Sequence, residues 1–403
     1  MKRCALKIAT ILLCAIACGE SNPVAPTDLA SARTAAGTEV FDGVGRVVWV
    51  TNNADVGPGS LRAAVEEANG DAAVRGIRFA PSITGQIEPR SQIVYDGAQP
   101  LTVEGPAHIV TLGAPGVGLL FRVRSALTLR GFGVEDANKV GLGIMVQADA
   151  VGEVRVDLER MGFLGVYSHA VWITDQDVPE SDPTGFSDAG SPASLRVRLH
   201  RVRVTNTAFE PGDDGVRISE GGAGDLHVTI DSSVVQWSGG GVNLDERGDG
   251  DLIVAASHSV VEHIAWRLGA PSESALVLKE AGAGDIDCRL RGVDIYENTD
   301  DGLEIEEVGA GDVTLVLSDI TIDANGGRAI SIIEDADGAG TGDVSVDFVD
   351  VAARTNALES LASAVVHRAA WNCGSVAAKS ARMRAQDLSC PSRAKAASPP
   401  RSE

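Results

Sequence analysis

The stretch that decides the fold is VRISEGGAGDLHVTIDSSVVQWSGGGVNLDERGDGDLIV, residues 216–254. It contains one plan twice: a short strand, a Gly-rich acidic turn that ends in Gly-Asp, and a second strand. In the first copy, Leu226, Val228 and Ile230 alternate with polar residues, which is the period-2 pattern of a half-buried strand. A third short strand, such as Val293-Asp294-Ile295, completes each unit.

The Gly-Asp pair marks a repeat along the middle of the chain. Its aspartates lie 26, 34, 27 and 31 residues apart, at Asp225, Asp251, Asp285, Asp312 and Asp343. Three strands in each unit correspond to one coil of a three-sided solenoid. Aromatic residues make up 4% of the chain and Gly contributes 46 residues, which suits a narrow interior of stacked aliphatic side chains. The sequence therefore predicts an all-β parallel solenoid.

The corners and the N-terminal end of this solenoid also have sequence signals. Asn tolerates the left-handed backbone of a tight corner, and several units are expected to close on Asn138, Asn206, Asn298 and Asn325. Residues 47–69 read as a strand, a Gly/Pro turn and an amphipathic helix that is N-capped near Ser60. One face of this helix, expected to cover the open end of the solenoid, holds Leu61, Ala64, Val65 and Ala68.

The segment Gly-Ser-Leu-Arg-Ala-Ala at 59–64 resembles the cap that opens many bacterial β-helix proteins of the pectin-lyase-like superfamily. The following IRFAPSITG at 77–85 is similar to the continuation in those chains, and cap plus repeats span residues 45–356. The resemblance implies a right-handed, three-sided parallel β-helix with a short N-terminal capping helix. It leaves activity open, because the superfamily contains pectate lyases, polygalacturonases and epimerases together with members that have no known catalysis.

The N-terminus predicts export. Residues 1–17 have a basic start and an apolar run too short to span a bilayer, as in a signal peptide. Ala15-Ile16-Ala17-Cys18-Gly19 resembles a bacterial lipobox, in which Cys18 would carry lipid; the alternative is an ordinary secretory signal with an incidental Cys. We expect an outer-membrane or cell-surface lipoprotein, otherwise a secreted protein, with a flexible tether at 18–44.

The C-terminal end is expected to finish the solenoid. Residues 357–390 are predicted to form a C-terminal cap, and 391–403 a disordered tail. An exported compartment permits a disulfide between Cys373 and Cys390, whereas Cys288 falls on an inward strand position and reads as a buried thiol. The net charge of −22 would repel phosphates and anionic lipid, so neither nucleic acid nor a membrane surface is expected to bind the solenoid itself.

Carboxylates recur with the Gly-Asp repeat. A glutamate stands five residues before the aspartate in four successive units, which places like charges on coils about 4.8 Å apart. Such a column is unfavourable unless it is solvated or bridged by cations, and Ca²⁺ takes six to eight oxygen ligands. The repeat predicts either solvated turns with capping aspartates or a calcium-stabilised ladder, whose ligands would be Glu220, Asp225, Glu246, Asp251, Glu280, Asp285, Glu307 and Asp312.

A doubled aspartate occurs twice, at Asp213-Asp214 and at Asp300-Asp301. Each pair resembles the aspartates of polygalacturonases, where two carboxyl groups flank the glycosidic bond. The pairs occupy equivalent positions three coils apart, about 14 Å, which favours a recurring corner over one catalytic centre. The polygalacturonase Gly-His-Gly and Arg-Ile-Lys motifs are absent from the sequence. Arg267 is the candidate base that a lyase would require.

A patch of aromatic residues is the third candidate site. Loops 207–214 and 264–274 enlarge one corner, and Trp237, His263, Trp266 and Tyr296 lie on or beside it. Aromatic rings beside polar groups suit sugar rings, although core packing or a solvated loop would also explain these residues. The sequence thus predicts a carbohydrate-facing binding or structural module for a polysaccharide or cell-surface glycan. The alternatives are a lyase or hydrolase of acidic polysaccharide, and an adhesin or spacer without a small ligand.

Overall fold

The computed structural model describes residues 45–106, 118–179, 181, 184–266, 272–334, 342–354, 356 and 369–372, with the backbone alone for Glu334 and 369–372. The predicted signal peptide, tether and tail lie outside these ranges, as does most of the predicted C-terminal cap. Four further predictions also fall outside the described residues and stay predictions: those for Cys18, Arg267, Cys373 and Cys390.

The described residues form one helix, α1 (Leu61–Gly70), and 27 strands. The first strands in chain order are β1 (Arg46–Val50), β2 (Val74–Phe79), β3 (Ile93–Tyr95), β4 (Leu101–Glu104), β5 (Leu119–Val123), β6 (Leu127–Arg130), β7 (Gly133–Glu135), β8 (Leu142–Val146) and β9 (Glu153–Glu159). They are followed by β10 (Gly162–Leu164), β11 (Val171–Thr174), β12 (Ser194–His200), β13 (Arg203–Thr207), β14 (Val216–Glu220), β15 (Leu226–Asp231), β16 (Val234–Ser238), β17 (Val242–Glu246) and β18 (Leu252–Ser257). The last are β19 (Val260–Glu262), β20 (Leu276–Glu280), β21 (Ile286–Arg291), β22 (Asp294–Tyr296), β23 (Leu303–Glu307), β24 (Val313–Asp323), β25 (Ile330–Glu334), β26 (Val344–Arg354) and β27 (Ala369–Asn372).

A typical coil contains three strands, one on each face of the solenoid, whereas β24 and β26 each cover the first two faces of their coils. In one coil β15 lies on the first face, β16 on the second and β17 on the third. They pair in parallel with β18, β19 and β20 of the next coil. Strands of the first two faces join in an 18-stranded sheet, whereas the third face is a separate sheet of nine strands. The predicted three-sided, right-handed parallel β-helix is confirmed.

Stacked aliphatic side chains fill the interior. On the first face Leu226 pairs with Leu252, which is followed by Ile286 and Val313 on the next coils. All four side chains are fully buried, and so is the Cys288 thiol, as predicted. Because each apolar residue contacts equivalent residues of the coils on either side, the core is continuous along the solenoid axis.

The N-terminal cap has the predicted form. The hydroxyl of Ser60 accepts a hydrogen bond from the amide of Ala63, which caps α1. The buried face of this helix consists of the four expected residues, Leu61, Ala64, Val65 and Ala68. No helix in the described ranges is long and apolar enough to cross a bilayer. At the other end, β27 pairs in parallel with β26 and continues the first face into the segment expected to form the C-terminal cap.

The asparagine ladder differs in part from the expectation. Asn325 Oδ1 accepts hydrogen bonds from both the amide and the side chain of Asn298, and Asn356 does the same for Asn325. Asn138 is exposed and lies outside this ladder. Thr207, not Asn206, occupies the ladder position of its coil. Asn206 lies one residue earlier and is the left-handed residue of that corner, with a φ of 54°.

Candidate functional site

The corner between the second and third faces carries the predicted aromatic patch. Trp237 lies near the end of β16 and His263 directly follows the paired strand β19, and both have a φ of 55°. A bulky residue in the left-handed region is uncommon, because its Cβ crowds the neighbouring backbone. The corner therefore holds an indole and an imidazole on successive coils in a conformation that Asn or Gly would adopt more easily.

Four side chains of this corner contact one another, and we call them the aromatic corner: Trp237, His263, Trp266 and Tyr296. The rings of Trp237 and His263 stack with centroids 3.9 Å apart and an angle of 19°. Trp266 meets Trp237 edge-on at 5.1 Å, and Tyr296 approaches His263 at 6.4 Å. Trp237 and Trp266 remain 37% and 41% exposed. The structure thus brings the four predicted ligand-binding residues together.

Two carboxylates flank the rings of the aromatic corner. Glu297 Oε2 lies 2.8 Å from His263 Nε2, and Glu262 Oε2 lies 3.5 Å from His263 Nδ1. Glu262 also hydrogen-bonds the Tyr296 hydroxyl. Burial, followed by this contact, raises the pKa of Tyr296, so the hydroxyl keeps its proton. The corner combines exposed ring surface with carboxylates that can accept hydrogen bonds or pair with a cation.

The first doubled aspartate lies in a buried polar cluster. Asp213 accepts a hydrogen bond from Ser168 at 2.9 Å, and the amide of Asp214 donates to His169 Nδ1 at 2.7 Å. Because Nδ1 is the acceptor, the imidazole proton of His169 sits on Nε2, which lies 3.7 Å from Asp213 Oδ1. His169 is fully buried and the two aspartates are 4% and 8% exposed.

Burial governs the acidity of this aspartate pair. It raises the pKa of Asp213 to about 6, although the Ser168 hydrogen bond opposes the shift. It raises the pKa of Asp214 to about 7, against the attraction of Arg217, whose guanidinium lies 3.5 Å away. A raised pKa is one requirement for the general acid of glycosidic bond cleavage, which also needs a second carboxyl group that is ionised.

The described residues of the insertion at 174–193, which leaves the corner between β11 and β12, cover Arg217. Within this insertion Gln176 pairs with Gly190 in an antiparallel bridge. The Phe186 ring of this insertion lies between two guanidinium groups, 4.3 Å from that of Arg217 and 4.2 Å from that of Arg247. The covering explains why Arg217 is 2% exposed although it points away from the solenoid core.

The second doubled aspartate has different partners. Asp301 accepts a hydrogen bond from the amide of Arg328, and its other oxygen lies 3.6 Å from that guanidinium. Asp300 is half-buried. The strands that follow the two pairs, β14 and β23, are three coils apart, as the register predicted. The two aspartate pairs thus occupy equivalent positions but have different surroundings, and His169 contacts the first pair.

The repeated glutamates form a buried column at the corner between the third and first faces. Glu220, Glu246, Glu280 and Glu307 pair in register on successive coils, and each is fully buried. Glu246 Oε1 accepts a hydrogen bond from the amide of Gly248 at 2.7 Å, and the Glu246 carboxyl group also hydrogen-bonds those of Glu220 and Glu280. Burial raises the pKa of all four carboxyl groups, which favours protonated side chains that share hydrogen bonds along the column.

The repeated aspartates form a second column beside the glutamates. Asp225 Oδ1 accepts a hydrogen bond from the amide of Asp251 at 3.2 Å, and Asp251 does the same for Asp285 at 2.9 Å. The pattern continues through Asp312 to the amide of Asp343. Each aspartate thus satisfies one backbone donor of the next coil. We call the two columns together, with the Gly-rich turns between them, the acidic corner.

The acidic corner fits the predicted calcium site poorly. An oxygen of Glu220, Glu246 and Glu280 already accepts a backbone hydrogen bond from a turn glycine. Among the described residues, no group of three or more Asp, Glu, His or Cys side chains is arranged to hold a metal ion. Six to eight oxygen ligands would have to include backbone or solvent oxygens. Calcium binding by this corner stays a prediction.

Several residues of these clusters were missed by sequence reasoning. Asp175 follows β11 at the position of Glu220 and heads the buried column, where Ser191 donates two hydrogen bonds to its carboxyl group. An alignment of β11 with β14 would have found it, since Thr174 pairs with Ser219. His169 and Phe186 had no such signal, because they act through contacts with a different coil or with the insertion.

The comparisons with known proteins identify no family. No protein-family sequence profile and no curated protein matches the chain. It is similar to the solved structure of pectate lyase Pel9A, with 14% identity over 81% of this chain and 79% of the other and a TM-score of 0.39. It is also similar to the catalytic domain of a GH87 α-1,3-glucanase in complex with tetrasaccharides, with 11% identity over 81% and 68% of the chains and a TM-score of 0.37. Likeness at these TM-scores supports no inference about activity.

Proposed function

We propose that the protein is a glycan-binding β-helix whose binding surface is the aromatic corner. The observation that carries this proposal is the packing of Trp237 against both His263 and Trp266, with two indoles left exposed on a rigid scaffold. An aromatic face buries the apolar face of a sugar ring, while neighbouring polar groups can bind its hydroxyls.

The geometry of the corner suits an extended ligand. The rings belong to successive coils, which repeat about every 4.8 Å along the solenoid axis. A glycan chain lying parallel to that axis would pass the rings of successive coils in turn, and would meet the stacked pair Trp237 and His263 at their edges. The two indoles stand at 85° to each other, so a sugar could contact the face of one and the edge of the other. Backbone hydrogen bonds of the parallel sheets hold these positions, which lowers the entropic cost of binding.

Glycan binding can be tested with immobilised polysaccharides. The full chain should bind at least one member of a panel of uronate, neutral and amino polysaccharides. The variants Trp237→Ala and Trp266→Ala should each lose most of that binding. Trp49→Ala is the matched control, because Trp49 is 48% exposed but lies on β1 at the capped end. Absence of binding to the whole panel would overturn the proposal and favour an adhesin or spacer without a small ligand.

A polysaccharide lyase or hydrolase is the second candidate function. The buried pair Asp213 and Asp214 favours it, because burial raises both pKa values into the range of a general acid. Incubation with uronate and neutral polysaccharides would reveal 4,5-unsaturated products or new reducing ends. Loss of that activity in Asp213→Asn, with folding intact, would assign it to this cluster.

We also propose that the protein is exported and anchored through a lipid on Cys18, for which the sequence is the support. Radiolabelled fatty acid supplied to the producing cells should enter the wild-type protein. It should not enter the Cys18→Ser variant. A processed but unlabelled wild-type chain would instead indicate secretion without an anchor.

A further inference from the structure

We infer that the aromatic corner selects glycans that carry protonated amino groups, such as polymers of glucosamine, over neutral or uronate chains. This inference rests on the proposed glycan binding and adds the ligand class. It follows from the charges that surround the rings, which point to a cationic sugar.

The carboxylates of the corner are not balanced by described cations. Glu262 and Glu297 both contact His263, at 3.5 and 2.8 Å. Among the described residues, His263 is the basic side chain that pairs with these two carboxylates. One imidazolium at most can neutralise one carboxylate. Glu297 is 55% exposed at its side chain, so its second oxygen faces solvent. The described residues of the corner therefore include more carboxylates than basic side chains beside the exposed indoles.

This charge discriminates between classes of sugar. Glu297 occupies the corner position of Trp237 two coils further along, next to His263. A uronate chain that runs along the corner would pass this carboxylate and be repelled, whereas a protonated amine there would be attracted. The amine of a 2-amino sugar is attached directly to the ring, so stacking the sugar on an indole also brings its cation close to that indole. A cation near the face of Trp is stabilised by the negative charge of the π system. Ring stacking and charge pairing thus favour the same ligand.

The protein as a whole adds a general attraction, because its net charge is −22. A cationic chain could adhere anywhere on such a surface, so the test must separate the corner from the rest. Glu297→Gln removes one charge from the corner and keeps the side-chain shape. Asp249→Asn removes one charge from an exposed turn at the acidic corner and serves as the matched control.

The experiment compares glucosamine, N-acetylglucosamine and galacturonic acid hexasaccharides by calorimetry on the full chain, at low salt and a pH where the amine is protonated. We expect the glucosamine hexamer to bind roughly tenfold more tightly than its N-acetylated counterpart, with the difference shrinking as salt is added. Glu297→Gln should weaken binding of the glucosamine hexamer much more than binding of the N-acetylated hexamer, and so remove most of this preference. Asp249→Asn should preserve the preference.

The outcomes separate the two proposals. Equal affinity for the two amino sugars, tighter binding of the uronate, or an equal loss of preference in both variants would overturn the inference while glycan binding at the corner stands. If Trp237→Ala and Trp266→Ala bind all three hexamers as the wild type does, the binding surface itself is wrong. In that case both proposals fail.

Discussion

The acidic corner and the aromatic corner of the solenoid differ in how their side chains are used. The acidic corner repeats the same residues on four successive coils, and their side chains hydrogen-bond one another or nearby backbone amides. The aromatic corner changes its residue from coil to coil, from Asn206 to Trp237 and His263, and it leaves rings exposed. Repetition at the acidic corner serves stability, whereas variation at the aromatic corner creates a surface that differs from coil to coil.

The difference teaches how to read acidic repeats in a solenoid. A carboxylate that recurs at the same position of successive coils suggests a column of metal ligands. The same regular spacing also lets a carboxylate of one coil accept a hydrogen bond from a backbone amide of the next coil. The glutamates are buried and hydrogen-bonded to turn glycines, and the aspartates accept amides. A residue that breaks the pattern, such as the exposed Trp237 at a corner position that holds Asn206 and Ala324 on other coils, is the better guide to function.

The largest expected effect is a glycine substitution in the acidic corner. A Cβ at Gly248 would overlap the carbonyl oxygen of Gly222 on the neighbouring coil, and backbone cannot move away without disrupting the stack. We expect Gly248→Ala to lower the free energy of unfolding by about 3 kcal/mol or more. Gly162→Ala is the control, because a Cβ there meets no atom within 4 Å. Urea denaturation measures both, and equal stability of the two variants would contradict tight stacking at this corner.

The second effect is a dependence of stability on pH. Because burial raises the pKa of Glu246, the folded chain keeps a proton that the unfolded chain releases above its ordinary pKa of about 4.3. The stabilisation by this group is complete below that pH and is lost as the pH rises toward the raised pKa, by up to about 1.4 kcal/mol per pH unit. Unfolding free energies between weakly acidic and weakly basic pH should therefore fall less steeply in Glu246→Gln than in the wild type.

The control for this pH effect is Glu66→Gln, which changes an exposed carboxyl group on α1 and should leave the slope unaltered. A wild-type slope that Glu246→Gln does not reduce would mean that the buried column is charged. It would then need a counterion.

A smaller effect is expected at the aromatic corner. In Trp237→Asn the new residue tolerates the left-handed conformation, as Asn206 does on the preceding coil. The free energy of unfolding should change by less than about 1 kcal/mol, because relief of backbone strain offsets the lost ring contacts. Glycan binding should nevertheless be lost. A variant that loses stability and binding together would show that the indole is a structural element.

The smallest expected effect is that of calcium. The raised pKa values favour protonated glutamates in the column, and one oxygen of Glu220, Glu246 and Glu280 already accepts a hydrogen bond from a backbone amide. Millimolar Ca²⁺ should therefore leave the thermal midpoint at neutral pH within about 1 °C, since only a ligand that binds the folded state raises it. A larger rise of the thermal midpoint that is abolished in Asp251→Asn would establish the calcium ladder predicted from the sequence. The acidic corner would then be a ligand-binding site like the aromatic corner.

Much of the fold was predictable because it depends on sequence patterns between residues that are close together in the chain. The period-2 strands, the Gly-Asp spacing and the capped helix at Ser60 each act within one coil, so the sequence exposes them directly. The residues of the aromatic corner were also found, since scarce aromatics beside enlarged loops are visible without coordinates. Burial of the glutamates was not predictable, because it depends on which side of a turn faces the core. The contact of Ser168 and His169 with Asp213 joins residues 45 and 44 positions apart and had no local signal.

The aspartate column described earlier has an evolutionary consequence. Each coil brings one amide to be satisfied and one carboxylate that satisfies its neighbour, so donors and acceptors stay matched however many coils there are. Duplication or loss of a whole coil would leave no orphaned group, and would change the length of the solenoid by about 4.8 Å. The reach of such a protein can therefore vary among descendants without rebuilding its interior, while each added coil offers a fresh position at the opposite corner.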